Sequence, residues 1–461
     1  MKKTLFLLAI FFICIETSFA QTNPAITAWI QNHDGTTGRH YIANNPTPID
    51  DGVLANVQSV DYSDNWVYVS ATGIPSYITG PFLDNNPSLA TDQQAIYKIS
   101  LNPTQNTGTP TNTTGGNIGV FVNGVSLFDY RDGVRWDNNN NRLCGGPGNP
   151  SCSGGPQANR DWNRDAIPAE MGGFDCNKAH PAMGNYHHHQ NPSAFDLDLL
   201  VVSDVCDSYP ADGLYVIDVN AHSPLIGFTY DGFPIYGAYA YKNTDGSGGI
   251  VRMKSSYTLR NMTTRVNGPD VGQVFTIQNG PNAGNQEVME LGYFREDYEY
   301  INNSEPDYLD EHNGRFAVTP EYPQGVYAYY TTVDENHNSA YPYVVGPTFY
   351  GNVTGTDVNT INENTTNYDS NLSVTELPEN SLDLKIFPNP TQDFIAIQSN
   401  ALDKTLQLKL VNELGQVVLK SEILSGSTLS VLETHTLYNG IYFLKVSYQK
   451  LEKSYKIIIN K

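Results

Sequence analysis

Short β-branched and aromatic runs, cut apart by turn dipeptides, limit what this chain can fold into. Val57-Gln58-Ser59-Val60-Asp61-Tyr62 and Trp66-Val67-Tyr68-Val69 are two such runs between Ala25 and Lys98. Residues of these kinds fit a pleated, half-buried surface, and Asn-Pro, Asp-Gly and Gly-Pro pairs mark the turns between runs. Ile118 to Phe128 reads as two strands around Asn123-Gly124, a dipeptide that suits hairpin turns because both central residues need positive φ. No stretch of the body sustains helical periodicity, and 39 Gly, 27 Pro and 30 Tyr point to long loops. The expected body is mainly β and loop-rich. Leu101–Asn117 and Val134–Ala166 read as loops, Phe195–Val202 alternates loosely, and Leu214–Val219 reads as a further strand.

Composition divides the chain. An N-terminal β-rich segment, 21–118, is expected to pack with a body domain over 119–351. Residues 352–381 turn to Asn, Thr, Glu and Ser and read as a linker. Residues 382–461 carry six strand candidates: Leu384–Phe387, Phe394–Ile397, Leu406–Leu410, Val417–Leu419, Ile441–Val446 and Tyr455–Ile459. Their spacing predicts a small Ig-like β-sandwich.

The two ends address the protein for export. Lys2 and Lys3, an apolar run from Leu5 to Ile15 and Ser18-Phe19-Ala20 fit a signal peptide over 1–20. The run is too short to span a bilayer, which takes about 20 apolar residues, and no later stretch supplies a transmembrane segment. Formal net charge is -22. The last 80 residues are slightly basic, so the acidity lies in the body. An acidic body argues against nucleic acid, whose phosphates call for Lys and Arg.

Four cysteines follow the signal: Cys144, Cys152, Cys176 and Cys206. An even count in an exported chain predicts two disulfides. The pairing that minimises loop length is Cys144–Cys152 with Cys176–Cys206, and the second bridge then brackets Tyr186-His187-His188-His189.

The last eighty residues resemble the type A sorting domain of the type IX secretion system of Bacteroidetes. Phe387-Pro388-Asn389-Pro390, Asn412-Glu413-Leu414-Gly415-Gln416, Asn439-Gly440-Ile441-Tyr442 and the Lys456–Lys461 end carry the likeness. It implies outer-membrane crossing through the type IX machinery, then release or attachment at the cell surface. The body from about Gly119 to Gly351 resembles the YHYH family. The matching pieces are Val120–Val125, Tyr186–His189, Asp231–Gly237, Leu309–Gly314 and Pro320–Pro323 leading to Gly325-Val326-Tyr327. His188 stands where the family motif has Tyr, and Tyr327-Ala328-Tyr329-Tyr330 stands where many relatives repeat the motif. The resemblance implies a fold group and no particular reaction.

Seven of the ten histidines lie between His180 and His337. In an extended run His187 and His189 share one face and His188 points to the other. Two imidazoles on one face can begin a metal site, and a third ligand is needed to hold the ion. His312 and Asp231 are the first candidates, followed by His180, His222 and Glu311. Imidazole and carboxylate suit Zn(II) or Cu(II). Asp196, Asp198 and the Asn243–Gly249 loop are weaker Ca(II) candidates, since their spacing matches no EF-hand. Two other classes stay open. A metal-free hydrolase would use His189 with Asp231 or Asp310, although no Gly-x-Ser-x-Gly elbow is present. A surface glycan-binding protein would use the Tyr-rich loops.

Overall fold

The computed structural model describes residues 23–84, 88–146, 149–155, 160–197, 203–277, 284–370, 384–399, 404–412, 416–448 and 451–461. The expected signal peptide, Asp198, residues 371–381 and the centre of the Asn412–Gln416 motif lie outside them. The described chain is mainly β, as expected, with a few one-turn helices. It divides into two compact units between Tyr368 and Asp369.

Among the described residues of the first unit, eight strands form the central sheet. Across it the order is Ala179–Ala182, Asn185–His188, Ser126–Phe128, Asn117–Phe121, Leu225–Thr229, Pro234–Tyr236, Val326–Tyr330 and Gly314–Ala317. Strand alternation gives this sheet two buried faces. Val120, Leu225, Phe228, Tyr236, Ala328 and Tyr330 face one core. There they meet Val57, Val60, Val67, Val69, Tyr97 and Ile99 of a second, five-stranded sheet. Phe121, Ile226, Ile235, Tyr327 and Tyr329 face a second core, closed by Ile167, Phe174, Phe195 and Tyr341 to Val345.

The Asn-Gly hairpin forms where expected, between Asn117–Phe121 and Ser126–Phe128. Gly124 has φ +78°, and a Cβ there would meet the Ala71 Cβ at 2.4 Å. The turn therefore needs glycine twice, for its backbone and for its approach to the neighbouring sheet.

Three local expectations differ from the structure. Val134–Ala166 is not a plain loop, because Arg131–Asp137 pairs with Arg142–Cys144 on one side and Asn163–Asp165 on the other. Leu214–Val219 is not a strand. Leu214 N–H donates to Pro192 O and Tyr215 Oη to Asn191, while Val216 and Val219 face solvent. The run has strand-forming residues but no strand beside it. Part of 352–381 is not a free linker. Thr356–Asp357 pairs with Ala95–Ser100 and Thr366–Tyr368 with Val57–Tyr62, extending the second sheet at both edges.

The cysteines pair as expected, Cys144 with Cys152 and Cys176 with Cys206. The second unit holds a three-stranded sheet, Leu384–Phe387, Phe394–Ser399 and Leu429–Glu433, and a four-stranded one, Val417–Ile423, Leu406–Asn412, Gly440–Tyr448 and Leu451–Ile459. Ile395, Ile397 and Leu432 of the first share a core with Leu408, Leu410, Leu444 and Ile457 of the second, the arrangement of a small β-sandwich.

Candidate metal centre

The histidine hairpin owes its register to its turn. Met183 and Gly184 both have positive φ, 49° and 86°, the pattern of a two-residue hairpin loop. That loop sets Ala182 opposite Asn185, and counting back along both strands sets His180 opposite His187. Directly opposed residues point to the same face. His189 follows the strand end on the same side. His180, His187 and His189 thus converge from three positions, all buried at 8%, 2% and 4% exposure.

One ring nitrogen from each of the three lies within 4.8 Å of the others. His187 Nε2 and His189 Nε2 are 3.1 Å apart. Both Nδ1 atoms face backbone carbonyls, His187 toward Asn185 O at 2.9 Å and His189 toward Asp129 O at 2.7 Å. A carbonyl can only accept, so each Nδ1 carries the ring hydrogen and, in the neutral ring, Nε2 presents a lone pair. Two neutral Nε2 atoms at 3.1 Å repel unless a proton or a metal ion lies between them. Two nitrogens held at ~2.0–2.1 Å by one tetrahedral ion lie roughly 3.3 Å apart.

Glu170 supplies the charge. It ends the helix Ala166–Glu170, which Asp165 caps by accepting from Ile167 N–H at 2.9 Å. Glu170 Oε2 lies 3.2 Å from His180 Nε2 and 3.4 Å from His189 Nε2, without a well-angled hydrogen bond. Its side chain is 24% exposed, more than any of the three imidazoles at the centre. Phe128 stacks on His187 at 4.0 Å and Phe174 packs edge-on against His180 at 5.0 Å, which dries the remaining walls. His180 Nδ1 and Asp129 Oδ2 are further buried polar atoms lacking a hydrogen bond.

The electrostatics follow. Burial pushes His187 well below the ordinary histidine value, and the neighbouring His189 and His180 add to the effect. Burial also opposes charge on His189, but the close Glu170 carboxylate outweighs it, so His189 is raised. Burial works against the Glu170 anion, yet contacts with His180 and His189 hold its carboxyl far below the usual range. The three imidazoles and one carboxylate fit a borderline divalent ion such as Zn(II) or Cu(II).

His188 points to the opposite face, as its parity requires. Its Nε2 bonds Tyr77 Oη at 2.8 Å, and burial lowers its pKa to about 3. The other candidates are not brought to the centre. Asp231 accepts from Thr229 Oγ1, Tyr329 Oη and Gly351 N–H, which occupies both oxygens. His312 Nδ1 bonds Thr348 Oγ1 at 2.7 Å, and the Glu311 side chain is 58% exposed. His222 sits among Tyr236, Tyr241 and Tyr330 with Nδ1 on Ser223 O. Asp310 accepts from Tyr327 Oη. Neither Asp231 nor Asp310 orients His189, whose Nδ1 is held by the Asp129 carbonyl, so the expected base-and-orienter pair does not form. Asp196 groups only with the disulfide cysteines. The Asn243–Gly249 loop is a polar turn closed by Asp245, Ser247 and Asn243. Glu170 escaped the sequence reading. Its sole sequence signal is an Asp-capped helical turn ahead of the histidines.

A mainly β body with a buried histidine cluster, followed in the chain by a small β-sandwich, defines the class of protein. The profile of the YHYH protein family matches residues 96–342, over half of the chain, and the chain belongs to that family. Residues 385–460 match the secretion system C-terminal sorting domain, here of type IX. The chain is therefore an exported, Bacteroidetes-type protein whose sorting domain engages the type IX machinery for delivery to the cell surface. No curated protein matches it. Among the described residues no helix is long and apolar enough to cross a membrane.

Proposed function

We propose that the first unit binds one divalent transition-metal ion, Zn(II) or Cu(II), through His180, His187 and His189, with Glu170 as the fourth donor. One observation carries this reading: the 3.1 Å approach of His187 Nε2 to His189 Nε2 while both Nδ1 hydrogens are committed to carbonyls. A bound cation relieves that repulsion. A proton on His189 relieves it in the metal-free protein, and the ion displaces that proton. Glu170 offsets part of the ion's charge, and the apolar walls limit competition from water.

Elemental analysis of the full-length chain, purified without a polyhistidine tag, tests the proposal. The expected result is about one equivalent of Zn or Cu per chain, lost in His187→Ala/His189→Ala. Full metal content in that double variant would place the ion elsewhere and return the histidines to a structural role.

A further inference from the structure

We propose that Tyr343 is a redox relay, carrying single electrons between copper at the histidine centre and an electron-rich aromatic molecule in the adjoining cleft. The inference rests on the metal-binding reading above and selects copper over zinc.

The route begins at a ligand. The His189 Nδ1 hydrogen bond ends on the Asp129 carbonyl, one peptide from Tyr130. Tyr130 Oη and Tyr341 Oη are 3.1 Å apart. Tyr130, Tyr341 and Tyr343 form a triangle with ring centroids 5.3, 5.6 and 5.8 Å apart, and all three are buried. Tyr341 stacks on Tyr298 at 4.0 Å, with the rings within 1° of parallel. Tyr298 and Tyr343 both line a cleft of about 470 Å³. The chain of rings thus leads from the centre to a space that can take a ligand.

Oxidising a phenol requires somewhere for its proton to go. Tyr343 Oη donates to Asp165 Oδ2 at 2.7 Å, and Asp165 is fully buried. Burial raises the Asp165 carboxyl to about 7, against the pull of the Tyr343 hydroxyl and the Ile167 N–H, so it is able to hold a proton near neutrality. Tyr130 has no such acceptor, and the Arg295 guanidinium lies 5.4 Å from its ring. That cation disfavours a positive hole there, so Tyr130 passes the electron and Tyr343 is where the oxidised state rests.

The step balances without an added oxidant. Cu(II) takes one electron from Tyr343 and becomes Cu(I), while the phenolic proton moves to Asp165. A phenol in the cleft then gives one electron to Tyr343, which recovers its proton from Asp165, and the phenol releases its own proton to water. The net change is Cu(II) plus phenol to Cu(I), phenoxyl radical and a proton. The cleft walls include Met171, Leu291 and Tyr293 beside the two tyrosines, and its carboxylates are Glu287 and Glu290. Such walls favour a neutral or cationic arene over an anion.

The test uses the full-length, untagged chain loaded with Cu(II) and mixed anaerobically with hydroquinone. Loss of the Cu(II) paramagnetic resonance signal gives the rate. The expected result is reduction at least tenfold slower in Tyr343→Phe, at unchanged copper content and unchanged Cu(II) spectrum. Tyr341→Phe, which keeps the ring and removes only the hydroxyl contact to Tyr130, should slow it as well. Copper that binds and is reduced equally fast in the parent and both variants overturns the relay alone. Failure of the parent chain to bind copper while it still binds zinc overturns the relay alone, and failure to bind either ion overturns the metal reading and the relay with it.

Discussion

Cys176 is bonded to Cys206, and the loop of 30 residues that they close contains the whole histidine strand. Chain-entropy reasoning assigns a loop of this size about 3–4 kcal/mol of stabilisation. Cys176→Ser/Cys206→Ser should therefore lower unfolding free energy by about that amount, and metal affinity should fall with it, because His180 to His189 lose their covalent bracket. Denaturant unfolding with and without added metal checks both parts. Unchanged stability in the double variant would show that the loop is held by packing alone.

Metal affinity should rise with pH from below the ordinary histidine value of 6.5 to above it. The sign follows from His189, which is raised and so binds a proton that the ion must displace. His187 is pushed down and stays neutral throughout, so it contributes no proton. Near pH 6.5 binding should release about one proton per ion, with affinity changing up to roughly tenfold per pH unit. Calorimetric titrations in buffers of different ionisation enthalpy measure the proton count, and pH-independent binding across this range would contradict the proposed ligand set.

Asp231 and His188 should separate structural from metal-binding roles. Asp231→Ala leaves Tyr329 Oη and Gly351 N–H without their acceptor, and each buried unsatisfied group costs about 1–3 kcal/mol. His188→Ala strands Tyr77 Oη in the same way. Both variants should lose thermal stability while the folded fraction keeps its full metal content. Metal loss at undiminished stability in either would bring that residue into the coordination shell.

Gly124→Ala should cost about 2 kcal/mol or more, combining a strained left-handed φ with overpacking. The new Cβ meets Ala71 at 2.4 Å, so the hairpin cannot keep its seat on the five-stranded sheet. A shift in urea midpoint measures this, and a midpoint equal to the parent's would mean that the two sheets move apart freely at that turn.

Much of the framework was legible because its causes are local. Gly124 takes positive φ, and Asn123-Gly124 makes a hairpin wherever the flanking runs can pair. Leu214–Val219 misled because strand-forming side chains do not supply a neighbouring strand, and here the backbone turns to Pro192 instead. Leu429–Glu433, a strand that the residue pattern did not suggest, exists because Phe394–Ser399 lies open beside it and pairs from Phe394↔Glu433 to Gln398↔Leu429.

At the centre the same division holds. Alternation along an extended run is a property of the backbone, so the sequence alone placed His187 with His189 and turned His188 away. The pairing of four cysteines followed from short loops, and the sorting-domain address from the motifs of the last eighty residues. Only the tertiary structure decided which groups complete the shell. A two-residue turn set His180 opposite His187, and helix packing brought Glu170 beside them. Tyrosine hydroxyls of the strand Val326–Tyr330 occupied Asp231, the first carboxylate offered as a ligand, and Asp310, offered as an orienter for His189. A carboxylate bonds whichever donor the fold brings within reach, and that donor lies beyond what local sequence encodes.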